Sequence, residues 1–141
     1  MTAWLLKTEP NEFSFDDLVK VSFEPWDGIR NPFALRNLQE AKVGEPCVIY
    51  HTGNERQAVG LASVVRTAYP DPKQNDTKLL VIDVKAGARL ENPVRLDVLK
   101  RQPLFADSLL VRQGRLSVVP LTDQQYALIL ELGGSQAGTG K

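Results

Sequence analysis

The 141-residue sequence has one cysteine, one histidine and no excess of either charge. The single Cys47 excludes a disulfide within the chain and a metal site built from cysteines. The single His51 leaves zinc without its usual set of ligands, so we expect no metal ion. The 17 Lys and Arg residues balance the 17 Asp and Glu residues, so a nucleic-acid site would have to be a local basic patch.

A long hydrophobic run is also missing. The N-terminal run at residues 3–7 is too short for a signal peptide, and no segment approaches the ~20 apolar residues that span a bilayer. We therefore expect a cytoplasmic protein, nuclear if its source is a eukaryote, with no membrane contact. Hydrophobic residues make up 43% of the chain and charged residues 24%, which is typical of one globular domain at this length.

The residues for hydrolytic chemistry are not grouped in the sequence. Cys47 and His51 lie four residues apart in one predicted strand, which separates them by well over ~10 Å at about 3.3 Å per residue. Asp16 and Asp17 are adjacent, and they suit the first turn of a helix because its free amides attract negative charge. We therefore expect no catalytic residue and no cofactor, and we favour a binding function.

Capping residues and prolines divide the chain into short strands and helices. Strands are predicted at 3–7, 47–51, 58–69, 78–84 and 116–119, the last ended by Pro120, with 58–69 and 78–84 pairing as a hairpin. Helices are predicted after the capping residues Ser14, Asn31 and Thr122, and over 95–100, whose end at Lys100 and Arg101 indicates a solvated helix terminus. Residues 26–30 are predicted as a loop, and 135–141 as a disordered tail after a domain at 1–134. This pattern predicts an α+β fold of five or six strands with short helices around a sheet that curls into a barrel.

Four segments combine polar, aromatic and basic residues where ordered structure is expected: 7–9, 26–31, 50–52 and 115–117. A pocket for a planar base needs aromatic or apolar walls and a few hydrogen-bond partners for the base edge. These segments contain both. Their basic residues Lys7, Arg30 and Arg115 are candidates for contacts with phosphates.

At these segments the sequence resembles the EVE domain family of the PUA-like superfamily, from Trp4 to about Leu132. The resemblance rests on six blocks in the family's order, at 4–10, 26–31, 48–52, 59–62, 68–71 and 115–120. It implies a PUA-like mixed β-barrel with a pocket for a flipped or single-stranded base. Family members are linked to cytosine modified at ring position 5, and the related YTH domains to methylated adenine.

The resemblance also implies the partner and the site. The partner would be RNA or DNA that carries a modified base, bound without catalysis. Apart from the resemblance, we expect a monomer. Carried onto this chain, the base-binding residues would be Trp26 as the pocket wall, Asn31 and Thr8 at the base edge, and Tyr50 and His51 at the rim or floor. The phosphate-binding residues would be Lys7, Arg30 and Arg115.

Alternatives stay open at the level of the residue and of the function. Asn31 serves either as a helix cap or as a base-recognition residue, and His51 either as a strand-end histidine with satisfied hydrogen bonds or as a site residue. The same scaffold would also suit a ribonuclease-like enzyme, as in ASCH relatives, with Lys7, Tyr50 or His51 as acid or base. A sensor of free nucleosides is the third possibility.

Overall fold

The computed structural model describes residues 2–134, and the predicted tail at 135–141 lies outside them. Within this range the chain forms six strands, five short helices and one turn of 3₁₀ helix at Pro103–Phe105. The strands are β1 (Ala3–Thr8), β2 (Phe23–Trp26), β3 (Pro46–His51), β4 (Gln57–Pro70), β5 (Leu80–Arg95) and β6 (Val118–Leu121). The helices are α1 (Phe15–Val21), α2 (Pro32–Glu40), α3 (Leu96–Lys100), α4 (Leu109–Arg112) and α5 (Asp123–Leu132).

All six strands belong to one mixed sheet with the order β2-β5-β4-β3-β1-β6. β1 and β3 run parallel, and the other neighbouring strands are antiparallel. The α+β class with six strands and short helices is thus confirmed, whereas the predicted barrel is wrong, because the sheet is not closed. Its two edge strands contain Pro25 and Pro120, and proline lacks the N–H that a closing ladder would need.

The sheet is nonetheless strongly curved. The ladder between β4 and β5 shifts register four times, between Ala58 and Tyr69, and each shift bends and twists a strand pair. β1 and β2 are separated by three strands in the sheet order, yet their last residues, Thr8 and Trp26, line one cleft. The curvature therefore positions the candidate site.

Three predicted element boundaries are wrong. Trp26 was expected in a loop, but it is the last residue of β2 and pairs with Ile82 of β5. β5 continues eleven residues beyond the predicted end at Val84, because its pairing with β4 outweighs the poor strand propensity of the second half. Pro120 lies inside β6 instead of ending it, which an edge strand tolerates.

The predicted helix caps are confirmed. The Ser14 hydroxyl accepts a hydrogen bond from the Asp17 amide at 3.1 Å, and the Asp17 carboxylate accepts one from the Ser14 amide at 2.9 Å. Thr122 and Gln125 form the same reciprocal pair at the start of α5. These bonds satisfy amides that have no partner inside the helix, and so they fix where each helix begins.

The hydrophobic core lies against the inner strands β1 and β3. Leu5, Leu6 and Cys47 have no exposed surface, and burial raises the pKa of the Cys47 thiol. Trp4 belongs to this core, and its indole N–H donates a 2.8 Å hydrogen bond to the buried Glu45 carboxylate. No helix in the part of the chain that the structure describes is long and apolar enough to cross a membrane.

Candidate functional site

A cleft of about 120 Å³ opens where β1 and β2 end. β1 contributes its last two residues, β2 contributes its last three, and the connection after β1 and the turn after β2 add one residue each. The lining residues are Lys7, Thr8, Phe13, Glu24, Pro25, Trp26 and Asp27. The cleft therefore combines two aromatic rings with a cation, two carboxylates and a hydroxyl.

The aromatic part of the cleft is formed by Trp26 and Phe13. Their ring centroids lie 6.0 Å apart at an interplanar angle of 79°, which is the favourable edge-to-face arrangement. Trp26 is 4% exposed, so its ring is held firmly by the surrounding core. This packing fixes one wall of the cleft before any ligand binds.

The indole N–H of Trp26 is the unusual donor of this site. Among residues 2–134 no group accepts a hydrogen bond from it, although it is not sealed off from solvent. The N–H of a well-buried tryptophan usually finds a partner, as that of Trp4 does with Glu45. The Trp26 N–H is thus available to a ligand.

The polar part of the cleft offers both donors and acceptors. The Thr8 hydroxyl donates a 2.6 Å hydrogen bond to the Phe13 carbonyl, which ties the end of β1 to the segment that carries the Phe13 ring. Burial raises the pKa of the Glu24 carboxyl, and the nearby charges of Asp27 and Asp83 raise it further, against a smaller opposing effect of Lys73. Burial lowers the pKa of Lys7, whose ammonium donates a 2.9 Å hydrogen bond to the Gly114 carbonyl.

The structure brings three of the predicted site residues together, namely Lys7, Thr8 and Trp26. The other five do not line this cleft. Arg30 and Arg115 are exposed, and Asn31 caps α2 by accepting hydrogen bonds from the amides of Phe33 at 2.8 Å and Ala34 at 3.2 Å. Tyr50 lines a second cavity, which Lys7 also borders.

Both ring nitrogens of His51 are occupied by hydrogen bonds within the fold. Nε2 accepts the backbone N–H of Phe15 at 3.0 Å, so the ring proton lies on Nδ1, which donates to the Glu55 carboxylate at 2.8 Å. His51 is 7% exposed. Its observed role is to fasten the start of α1 to the end of β3.

Sequence analysis missed Phe13, Glu24 and Asp27 as parts of this cleft. Phe13 directly precedes the Ser14 cap, where an apolar residue ordinarily packs on its own helix. A signal existed for Glu24: once 23–26 is recognised as a strand, the period of two places Glu24 and Trp26 on one face. Among residues 2–134, no group of three or more His, Cys, Asp or Glu side chains is placed to hold a metal ion.

Comparison with known proteins identifies close relatives of this fold and sequence. The sequence profile of the EVE domain matches residues 2–132. Thymocyte nuclear protein 1 of Rattus norvegicus is 30% identical over 164 aligned residues, which cover 92% of this chain and 72% of that protein. A crystal structure from Agrobacterium tumefaciens superposes with a TM-score of 0.93 at 30% identity, covering 100% of this chain and 98% of that one. The human THYN1 protein, crystallised in complex with DNA that contains 5-methylcytosine, superposes with a TM-score of 0.85 at 27% identity, covering 96% of this chain and 99% of that one.

Proposed function

Because the chain belongs to the EVE domain family, we propose that it binds nucleic acid by accepting one modified base in the cleft beside Trp26, without catalysis. The observation that carries this proposal is the cleft itself, which is lined by the packed rings of Trp26 and Phe13 and by the acidic residues Glu24 and Asp27. A flat heterocycle with a polar edge is the ligand that such walls suit.

The polar groups of the cleft favour cytosine or adenine over thymine or uracil. Cytosine and adenine carry an exocyclic amino group, which needs an acceptor, and carboxylates accept from such groups. Glu24 and Asp27 supply these acceptors, while the Trp26 N–H supplies a donor for a ring nitrogen or a carbonyl oxygen. The human relative that was crystallised with 5-methylcytosine DNA supports a modified cytosine as the first base to test.

The base has to leave its stack to enter a cleft of this size. Enzymes and readers that enclose one base extrude it from the duplex or take it from a single strand, and they recover the cost by stacking and by hydrogen bonds to its edge. The cleft lies where β1 and β2 end and the chain leaves the sheet. This position suits a base swung out from a backbone that stays on the surface.

The proposal is tested by titrating the protein with DNA and RNA oligonucleotides that differ at one position: cytosine, 5-methylcytosine, thymine, adenine or N6-methyladenine. Replacing Trp26 by Ala should weaken binding of the preferred oligonucleotide about tenfold to a hundredfold, because base stacking is worth ~1–3 kcal/mol. Trp26→Phe keeps the aromatic wall and removes the N–H, so it should retain part of the affinity.

Trp4→Phe is the matched control, since it alters a buried tryptophan outside the cleft. Thermal unfolding of all variants shows which of them are folded. Equal affinity for every oligonucleotide, unchanged in a folded Trp26→Phe or Trp26→Ala variant, would refute a base site beside Trp26.

A further inference from the structure

A second cavity, of about 360 Å³, lies between the turn that joins β3 to β4 and the helices α3 and α4. Tyr50, Arg56, Leu96 and Lys100 are among its lining residues, and Lys7 borders it on the side of the Trp26 cleft. Because Lys7 lines both spaces, the two cavities adjoin.

The two cavities have opposite charge. The Trp26 cleft is lined by two acidic residues and by Lys7, whose ammonium bonds to Gly114 on the side of the second cavity. Among residues 2–134, the second cavity is lined by Lys7, Arg56 and Lys100 and by no acidic residue. An adjoining groove shares Arg56 and Lys100 and adds Arg95, whose guanidinium pairs with Asp97 at 3.3 Å. In a chain whose formal net charge is zero, this concentration of cations is a local feature that favours an anion.

Tyr50 adds a hydrogen-bond donor that residues 2–134 do not use. The residue is 2% exposed and lines the cavity, yet no group among residues 2–134 forms a hydrogen bond with its hydroxyl. The Lys7 ammonium lies 5.6 Å from the centre of its ring. Burial raises the pKa of Tyr50 to about 12, against a smaller opposing effect of Arg56, so the hydroxyl keeps its proton at neutral pH.

The backbone of Arg56 is the third independent observation. Arg56 has a φ of 47°, in the left-handed region that glycine and asparagine adopt more readily than arginine. Its carbonyl accepts a 2.9 Å hydrogen bond from the amide of Leu96, which fixes this conformation next to α3. Non-glycine residues held in this backbone region cluster at ligand sites, and Arg56 lies at the edge of the basic cavity.

We propose that this second cavity binds a backbone phosphate of the strand whose base occupies the Trp26 cleft, with Arg56 and Lys100 as the charge partners and the Tyr50 hydroxyl as a hydrogen-bond donor. The inference rests on the proposed function and adds the residues that hold the strand. Arginine and lysine contacts to phosphate position a nucleic acid without reading its sequence. The inference therefore concerns affinity and salt dependence, and base preference stays with the Trp26 cleft.

The test measures binding of a short single-stranded DNA with one central 5-methylcytosine between about 50 and 200 mM salt. Arg56→Asn removes the charge and keeps a residue that tolerates the left-handed backbone, and Lys100→Gln removes the second charge. Each should weaken binding at low salt and lower the slope of log K against log salt, and the double variant should lower it by about 0.7, the value for one phosphate contact on a single strand.

Arg101→Gln is the matched control, since Arg101 follows Lys100 in the chain, is exposed and lines neither cavity. It should leave affinity and slope close to those of the unaltered protein. Tyr50→Phe should weaken binding between about twofold and tenfold without lowering the unfolding temperature, because the hydroxyl has no partner to lose within the described residues 2–134.

The inference is overturned if Arg56→Asn and Lys100→Gln keep the slope of Arg101→Gln while the protein still binds the oligonucleotide. That result leaves the base site intact. Failure of the proposed function gives a different result: base preference is then absent, or it survives in the Trp26 variants. A competition arm compares 5-methyl-2′-deoxycytidine 5′-monophosphate with the oligonucleotide. If the free nucleotide binds as tightly as the strand, a strand phosphate is excluded and the cavity belongs to a free nucleotide.

Discussion

His51 and Glu24 show how differently single residues can be predicted from the sequence. His51 is predicted as a site residue in part because it is the chain's one histidine, but its two ring nitrogens form hydrogen bonds with Phe15 and Glu55 within the fold. Glu24 is not predicted as a site residue, yet it lines the cleft with Trp26 and its carboxyl has a raised pKa. A residue's type suggests chemistry, whereas its hydrogen-bond partners decide whether that chemistry is available.

Replacing His51 by Ala should destabilise the fold by about 1–3 kcal/mol, because the buried amide of Phe15 loses its acceptor. Urea unfolding measures the change. Glu55→Gln is the companion variant: the Glu55 side chain is 41% exposed, so its loss of charge should cost at most ~1 kcal/mol. If His51→Ala is as stable as the unaltered protein, the bond to Phe15 contributes nothing and a role outside the fold has to be sought.

Glu24 should make base binding sensitive to acid. Its pKa is raised above the ordinary 4.5, and an ionised carboxylate is the better acceptor for an exocyclic amine, so affinity should fall as pH decreases through this raised pKa. The Glu24→Gln variant should bind more weakly at neutral pH and lack this decline. Binding titrations of the unaltered protein and of Glu24→Gln across pH 4–8 test this prediction. Protonation of the base itself affects both proteins equally, so only a difference between them reports on Glu24. Parallel pH profiles would contradict the role of Glu24.

The raised pKa of Glu24 also affects the stability of the fold, and there ionisation is unfavourable. A raised pKa means that the folded protein binds this proton more tightly than the unfolded chain does, so ionised Glu24 disfavours the fold at neutral pH and this cost disappears as pH falls towards 4.5. Glu24→Gln should therefore unfold at a slightly higher temperature at pH 7. A ligand-binding site is expected to contain such a carboxylate, which lowers the stability of the folded protein and improves binding of the ligand.

Among the secondary-structure elements, those defined by local chemistry were predicted and those defined by pairing were not. Ser14, Asn31 and Thr122 mark the starts of α1, α2 and α5 because their side chains bind amides two or three residues away. β2 and the second half of β5 have no such local signal. They are strands because distant segments supply their hydrogen bonds, which periodicity in one sequence does not show.

The two roles considered for Asn31 can be separated at the start of α2. Asn31→Ala should destabilise the fold by about 1 kcal/mol through loss of the cap, measured by thermal or urea unfolding. Asn31→Asp keeps the capping oxygen and removes the amide N–H₂. If Asn31 only caps the helix, Asn31→Asp should bind oligonucleotides like the unaltered protein; a loss of base preference in this stable variant would show that the amide contacts the base.

At the scale of the whole molecule, the site depends on curvature. The sequence placed Trp26, Thr8 and Lys7 in one site through family resemblance, and the structure brings these three together. The site positions of Phe13, Arg56 and Lys100 could not be predicted from the sequence, because they result from how the bent sheet and the short helices meet. Lys100 in particular has the sequence context of an ordinary solvated helix end.

Gly60 tests how tightly this curved sheet packs on α1. A methyl group at Gly60 would overlap the ring of the fully buried Phe15, so Gly60→Ala should destabilise the protein by about 1–3 kcal/mol through overpacking. Gly114→Ala is the matched control, because a methyl group there meets no atom within 4 Å, and its effect should stay within about 0.5 kcal/mol. Equal stability of the two variants in urea would mean that the Phe15 ring shifts freely.

The prolines of the two edge strands also affect how copies of this protein meet. An exposed strand can recruit a strand from a second molecule, which is a common route to aggregation, and proline interrupts the row of donors that recruitment needs. Pro25 and Pro120 interrupt that row at both rims of the sheet. Growth of the sheet from molecule to molecule is therefore disfavoured, and any self-association has to use side-chain surfaces.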